Sequence, residues 1–119
     1  MGKSERDKKK IIFVDSGRKE KIITFLRKIE VIPHSERLKY LQTITDEEVL
    51  ILGEIAHNIL HGSLNVDYRS FKLLSKVKKF LRDLGDKCKS KAFKKKILKT
   101  IQGLNIIAII VPLTLQNLT

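Results

Sequence analysis

A chain of 119 residues, 42% of them hydrophobic, is at most one domain, and that composition excludes wholesale disorder. Trp is absent, and Ile and Leu supply most of the apolar mass, so any core is aliphatic. The net charge of +12, from 25 basic and 13 acidic residues, points to a polyanionic partner, with nucleic acid first and anionic lipid second.

The charge is uneven along the chain: residues 1–44 carry +6, residues 45–65 carry −4 and residues 66–99 carry +10. Residues 1–15 read as a disordered basic arm. Within it, Ile11 to Val14 is compatible with a strand or a helix edge, and is too short for a signal-peptide core. From Ser16 the spacing turns helical, with Ile22, Ile23, Leu26 and Ile29 on one side, and Pro33 ends the pattern. A short second helix is predicted over Ser35 to Ile44. Thr45 then opens a third, because its hydroxyl can accept from the free backbone N–H groups while Glu48 reaches back. Asp46 and Glu47 suit the positive end of that helix, Gly62 ends it, and Val49, Leu52, Ile55, Ala56, Ile59 and Leu60 form its apolar stripe.

A fourth helix is predicted from an Asp67 cap to Leu84 before Gly85. Phe71, Leu74, Val77, Leu81 and Leu84 form one stripe, and Arg69, Lys72, Lys76 and Lys79 another. A fifth, capped by Ser90, places Phe93, Ile97 and Ile101 on one side and Lys91, Lys95 and Lys99 on another. Residues 16–102 form the expected helical domain, and residues 103–119 a separate apolar segment. The apolar run Leu104 to Leu115 spans twelve residues interrupted by Pro112, whereas a bilayer-spanning helix needs about twenty. Either it packs as a last helix on the core, or it inserts shallowly into a membrane or joins neighbouring copies.

Few residues recommend catalysis. Cys88 is the lone cysteine, which rules out an intramolecular disulfide and fits a reducing compartment. Lys87, Lys89 and Lys91 favour its thiolate, but no His or acid stands nearby in sequence to complete a nucleophile. Glu54, His57 and His61 have the spacing of zinc ligands on one helix, yet no glutamate follows His57 and no further ligand cluster exists. They read as ordinary surface residues, and no metal or cofactor is expected. Lysines set against phosphates release counterions and bind without reading sequence. The expected phosphate contacts are Arg69, Lys72, Lys76, Lys79, Arg82, Lys91, Lys94, Lys95, Lys96 and Lys99. The expected membrane or partner contacts are Leu104, Ile106, Ile107, Ile109, Ile110, Val111 and Leu113.

The segments "FLRKIEVIPHSERLKYLQTITDEEVLILGEIAHNILHGSLNV" and "LLSKVKKFLRDLGDKCKSKAFKKKILKTIQG", followed by an apolar tail, resemble a small basic protein encoded beside capsid genes in adintoviruses and Maverick/Polinton elements. The resemblance runs from about Phe25 to Leu115. It rests on the turn at Leu60, His61 and Gly62, the basic helix Lys76 to Leu84, and Lys89, Ser90 and Lys94 to Lys96 leading to Gly103. The ending is also similar to adenovirus core protein X, or mu. A single Gly103 stands where the adintovirus and Polinton family has a Gly-Gly pair followed by Phe, and Asn105 replaces the glycine that an adenovirus-type protease site would need in the stretch Ile101, Gln102, Gly103 and Leu104.

The expected protein is therefore all-α, a small bundle of five or six short helices with a disordered basic N-terminal arm. It is not an enzyme. The resemblance implies a virion protein, present in host nucleus or cytoplasm during assembly, that binds and compacts double-stranded DNA without sequence preference. Capsid proteins, an anionic membrane surface and a second copy of the chain are further partners it admits, and a membrane-active or capsid-linking minor virion protein is the alternative.

Overall fold

The structure, a computed structural model, describes residues 16–119, so the expected arm over residues 1–15 lies outside the described residues. The described chain is all-α, with seven helices. The first, α1 (Ser16–Val31), buries Ile22, Phe25, Leu26 and Ile29 at helical spacing. It stops two residues before Pro33, and Arg37 donates from Nε to the Ile32 carbonyl at 3.0 Å and from Nη2 to that of Glu30 at 3.2 Å. These bonds satisfy carbonyls that the helix end leaves free. Arg37 belongs to α2 (His34–Leu41), which starts directly after the proline.

The cap expected at Thr45 is present on α3 (Asp46–Leu60). Glu48 N–H donates to Thr45 Oγ1 at 3.2 Å, and Thr45 N–H donates to Glu48 Oε1 at 3.0 Å. The other carboxylate oxygen of Glu48 accepts from Tyr40 Oη at 2.7 Å, tying α2 to the same point. After α3, Gly62 takes φ +72°, a conformation that a Cβ penalises by about 1–2 kcal/mol.

The single long fourth helix predicted over Asp67 to Leu84 is two helices, α4 (Tyr68–Ser75) and α5 (Lys78–Gly85). At the break, Lys76 N–H and Val77 N–H donate to Leu73 and Leu74, three residues back, which tightens the turn. Ser75 Oγ also donates to the Phe71 carbonyl at 2.9 Å, a back-bond that weakens a helix locally. The break lets the halves serve different neighbours: Leu74 of α4 goes towards α7 (Ile101–Leu118), and Leu81 and Leu84 of α5 pack on α3. The second crossing is close because the residues that meet there are small. A Cβ on Gly85 would lie 2.8 Å from the His57 backbone nitrogen, and one on Gly53 would lie 3.0 Å from the Leu84 carbonyl oxygen.

Ser90 caps α6 (Lys91–Leu98) by accepting from Phe93 N–H at 3.1 Å. The tail is a full helix: α7 continues through Pro112, which is exposed, and contacts each of the other six. Its Ile106, Ile107, Ile110 and Val111 are no more than 1% exposed. Of the readings open for this segment, the structure has packing on the core, and the division expected at residues 102 and 103 falls inside α7. Gly103 sits in the first turn of α7, where an added Cβ would lie 2.5 Å from Leu98 Cα. At the far end, Asn117 clamps the backbone of Asn65, accepting from its N–H at 2.9 Å and donating to its carbonyl at 3.0 Å.

Candidate nucleic-acid interface

The basic run is presented by α4, α5, α6 and the turn from Asp86 to Ser90. Asp67, one of only three acids in this region, is engaged as a helix cap: Ser70 N–H donates to its Oδ1 at 2.7 Å and Ser70 Oγ to its Oδ2 at 3.1 Å. The backbone bond from Ser70 holds the Asp67 carboxyl below its ordinary value. Asp86 accepts from Cys88 N–H at 2.8 Å, closing the turn. Both acids thus support local backbone within the basic stretch.

Eight of the ten expected phosphate contacts stand exposed: Arg69, Lys72, Lys76, Lys79, Arg82, Lys91, Lys96 and Lys99. Lys95 is half-buried and pairs with Asp46 at 2.6 Å, which takes it towards the acidic start of α3 and holds the Asp46 carboxyl low. Lys94 is a correction. It is only 7% exposed, on the core-facing side of α6 with Ile97 and Leu98. Of the expected apolar side, Ile97 is buried, while Phe93 is 37% exposed and Ile101, which belongs to α7, is 58% exposed. The helix α6 turns Leu98 towards α7, and Lys94, one turn earlier, follows it inward.

The exposed cations do not form one continuous stripe. Arg69 lines a groove along α7 with Arg27 and Glu30, whereas Lys87, Lys89, Lys91 and Lys94 line a separate cleft against α3. Three exposed lysines, Lys78, Lys87 and Lys89, belong to the basic surface and are missing from the expected set. Lys78 was hidden by the assumed continuity of α4 and α5. Lys87 and Lys89 lie in a turn, where helical periodicity has no purchase; their density around Gly85 was the available signal. Exposed Tyr68 and Phe71 flank Arg69, with Lys72 Nζ 5.6 Å from the Tyr68 ring centroid.

Of the expected membrane or partner contacts, Leu104, Ile106, Ile107, Ile110, Val111 and Leu113 are buried by the chain itself, and Ile109 is half-buried. By length and composition α7 is apolar enough to cross a membrane, but most of it is enclosed here. The His57 and His61 rings stack with centroids 4.1 Å apart, and His61 Nδ1 lies 2.9 Å from the His57 carbonyl oxygen. Burial, then His61 and Lys87, push the His57 pKa down. Among the described residues, no three acidic, His or Cys side chains converge as a metal set. Cys88 is exposed. No family model, curated protein or solved structure matches the chain.

Proposed function

We propose that this protein binds nucleic acid without sequence preference and compacts viral or element DNA within a virion. The observation that carries the binding role is the exposure of Arg69, Lys72, Lys76, Lys79, Arg82, Lys91, Lys96 and Lys99 on or just past short helices that set Leu74, Leu81, Leu84 and Leu98 into the core. Two of the three acids in the same region are tied into local caps and turns, so the cations face solvent with little opposition. Lysine dominates this set, and an ammonium acts as a point charge on phosphate where arginine would form a fork. The virion setting rests on the family resemblance alone.

The test is a titration of two duplexes of unrelated sequence at rising salt. A protein with six to ten phosphate contacts loses roughly 10³–10⁵-fold in affinity between 50 and 200 mM salt. Equal affinities that fall steeply together support the proposal, and affinity indifferent to ionic strength ends it. A membrane-active or capsid-linking role for the tail would require the same apolar residues to leave the core. Deleting the tail cannot distinguish the two roles, because α7 touches every other helix. Liposome flotation of the intact chain can: binding that leaves near-UV circular dichroism unchanged would show a membrane surface independent of α7.

A further inference from the structure

Lys94 is the least expected cation in the fold. Its side chain runs inward from α6 until Nζ lies 3.3 Å from where a Cβ on Gly53 would be, so the glycine makes the room that the ammonium occupies. It has no hydrogen bond or ion pair with any described residue. Burial pushes its pKa down, and the charge of Asp86 opposes that shift. An ammonium on a mostly enclosed side chain, with no protein partner, is stabilised by an anion that reaches it.

The cleft that Lys94 lines is open to solvent and measures about 400 Å³. Lys87, Lys89 and Lys91 also line it, with Lys89 Nζ 5.1 Å from the Phe93 ring centroid, so four lysines border one small space. Glu54 lines the same cleft and Asp86 acts on Lys94, which leaves an excess of two positive charges. Asn58, only 1% exposed, lines it too. Its Nδ2 donates to the Glu54 carbonyl at 2.9 Å, while its Oδ1 has no partner among the described residues.

We propose that this cleft is a discrete site for one phosphate-monoester dianion, with Lys94 Nζ as its inner contact and Lys87, Lys89 and Lys91 closing around the outer oxygens. The excess of two charges matches a dianion, and the depth of Lys94 suits a terminal phosphoryl group. A phosphodiester inside a duplex is singly charged and continues in both directions, so it cannot enter as far. The site goes beyond the proposed duplex binding and does not depend on it. The dianion has two possible sources: a free phosphorylated small molecule, represented by inorganic phosphate, or the 5′-phosphate at a nucleic-acid end.

The experiment follows backbone amide NMR shifts of the full chain during titration with sodium phosphate, at ionic strength held constant with sodium chloride. Saturable shifts confined to Gly53, Gly85 and the residues from Lys87 to Lys94 are expected. Lys94→Gln and Lys94→Met should each weaken the site at least tenfold, and Lys39→Gln on α2 should leave it unchanged. Two Lys94 variants are used because one could perturb the fold, which the remaining amide spectrum would reveal. A 5′-phosphorylated oligonucleotide is then compared with its 5′-hydroxyl counterpart. Cleft shifts seen only with the phosphorylated form assign the site to nucleic-acid ends, and saturation by inorganic phosphate with no difference between oligonucleotides assigns it to a small molecule. Chloride shifting the same amides equally, or both Lys94 variants binding phosphate like the parent, would overturn the proposal. The salt dependence of duplex binding should be unchanged in both Lys94 variants, so this site and the duplex surface can fail separately.

Discussion

The helix α7 and the run from α4 to α6 are neighbours in the chain and opposites in use. In α7 most of the large apolar side chains are enclosed, and the helix is the element on which the other six converge. From α4 to α6, only a narrow set including Leu74, Leu81, Leu84, Ile97 and Leu98 reaches the core, and the rest is a field of lysines and arginines. The contrast teaches that an apolar segment at the end of a chain need not be an appendage. The short basic helices cannot bury enough surface on their own, and α3 and α7 together supply the missing apolar walls.

That contrast is broken most severely by shortening a side chain in α7. Ile107→Ala should lower unfolding free energy by about 2–5 kcal/mol, because the site is fully enclosed and leaves a cavity. Lys79→Gln should stay within about 0.5 kcal/mol, as a surface change away from any cap or pair. Urea denaturation of the two variants measures the comparison directly, and similar losses would mean that α7 is not the central element. Next in size is Gly103→Ala, which puts a methyl group against the Leu98 backbone and should destabilise by about 1–3 kcal/mol. An alanine accepted there without loss would show that α6 and α7 meet less closely than described.

Thr45→Ala removes half of the capping box on α3 and should reduce stability by about 1 kcal/mol in the same assay. The smallest effect is expected from pH. His57 is held below its ordinary value of 6.5, so near that pH the unfolded chain takes up a proton that the folded chain refuses. Stability should therefore fall as pH drops from 6.5 through the folded value and then level off. His57→Gln should remove that part of the profile, and an unchanged profile would place the proton elsewhere.

Much of the fold was legible where chemistry is local. The Thr45 and Glu48 pair, the Asp67 and Ser90 caps, the stop at Gly62 and the apolar stripe of α3 each depend on residues within a turn or two of one another. What the sequence did not disclose depends on distant partners. The break at Lys76 and Val77 has no proline or glycine to announce it; it arises because α4 and α5 pack on different helices. The inward course of Lys94 was obscured by counting from Phe93 and Ile101, when Leu98 was the residue facing α7. The candidate surface was readable as a density of charge, but its division between the Arg69 groove and the Lys94 cleft required the tertiary arrangement.

The central claim, that exposed cations on α4 and α5 bind nucleic acid while α7 holds the fold, is tested most directly by replacing Arg69, Lys72, Lys76, Lys79 and Arg82 together with glutamine. Far-UV circular dichroism should be unchanged. The slope of log affinity for duplex DNA against log salt should shrink by roughly 0.9 for each phosphate no longer neutralised, about 4 to 5 in all if every one of these residues neutralises one. A folded variant with the parent's affinity and slope would contradict the account.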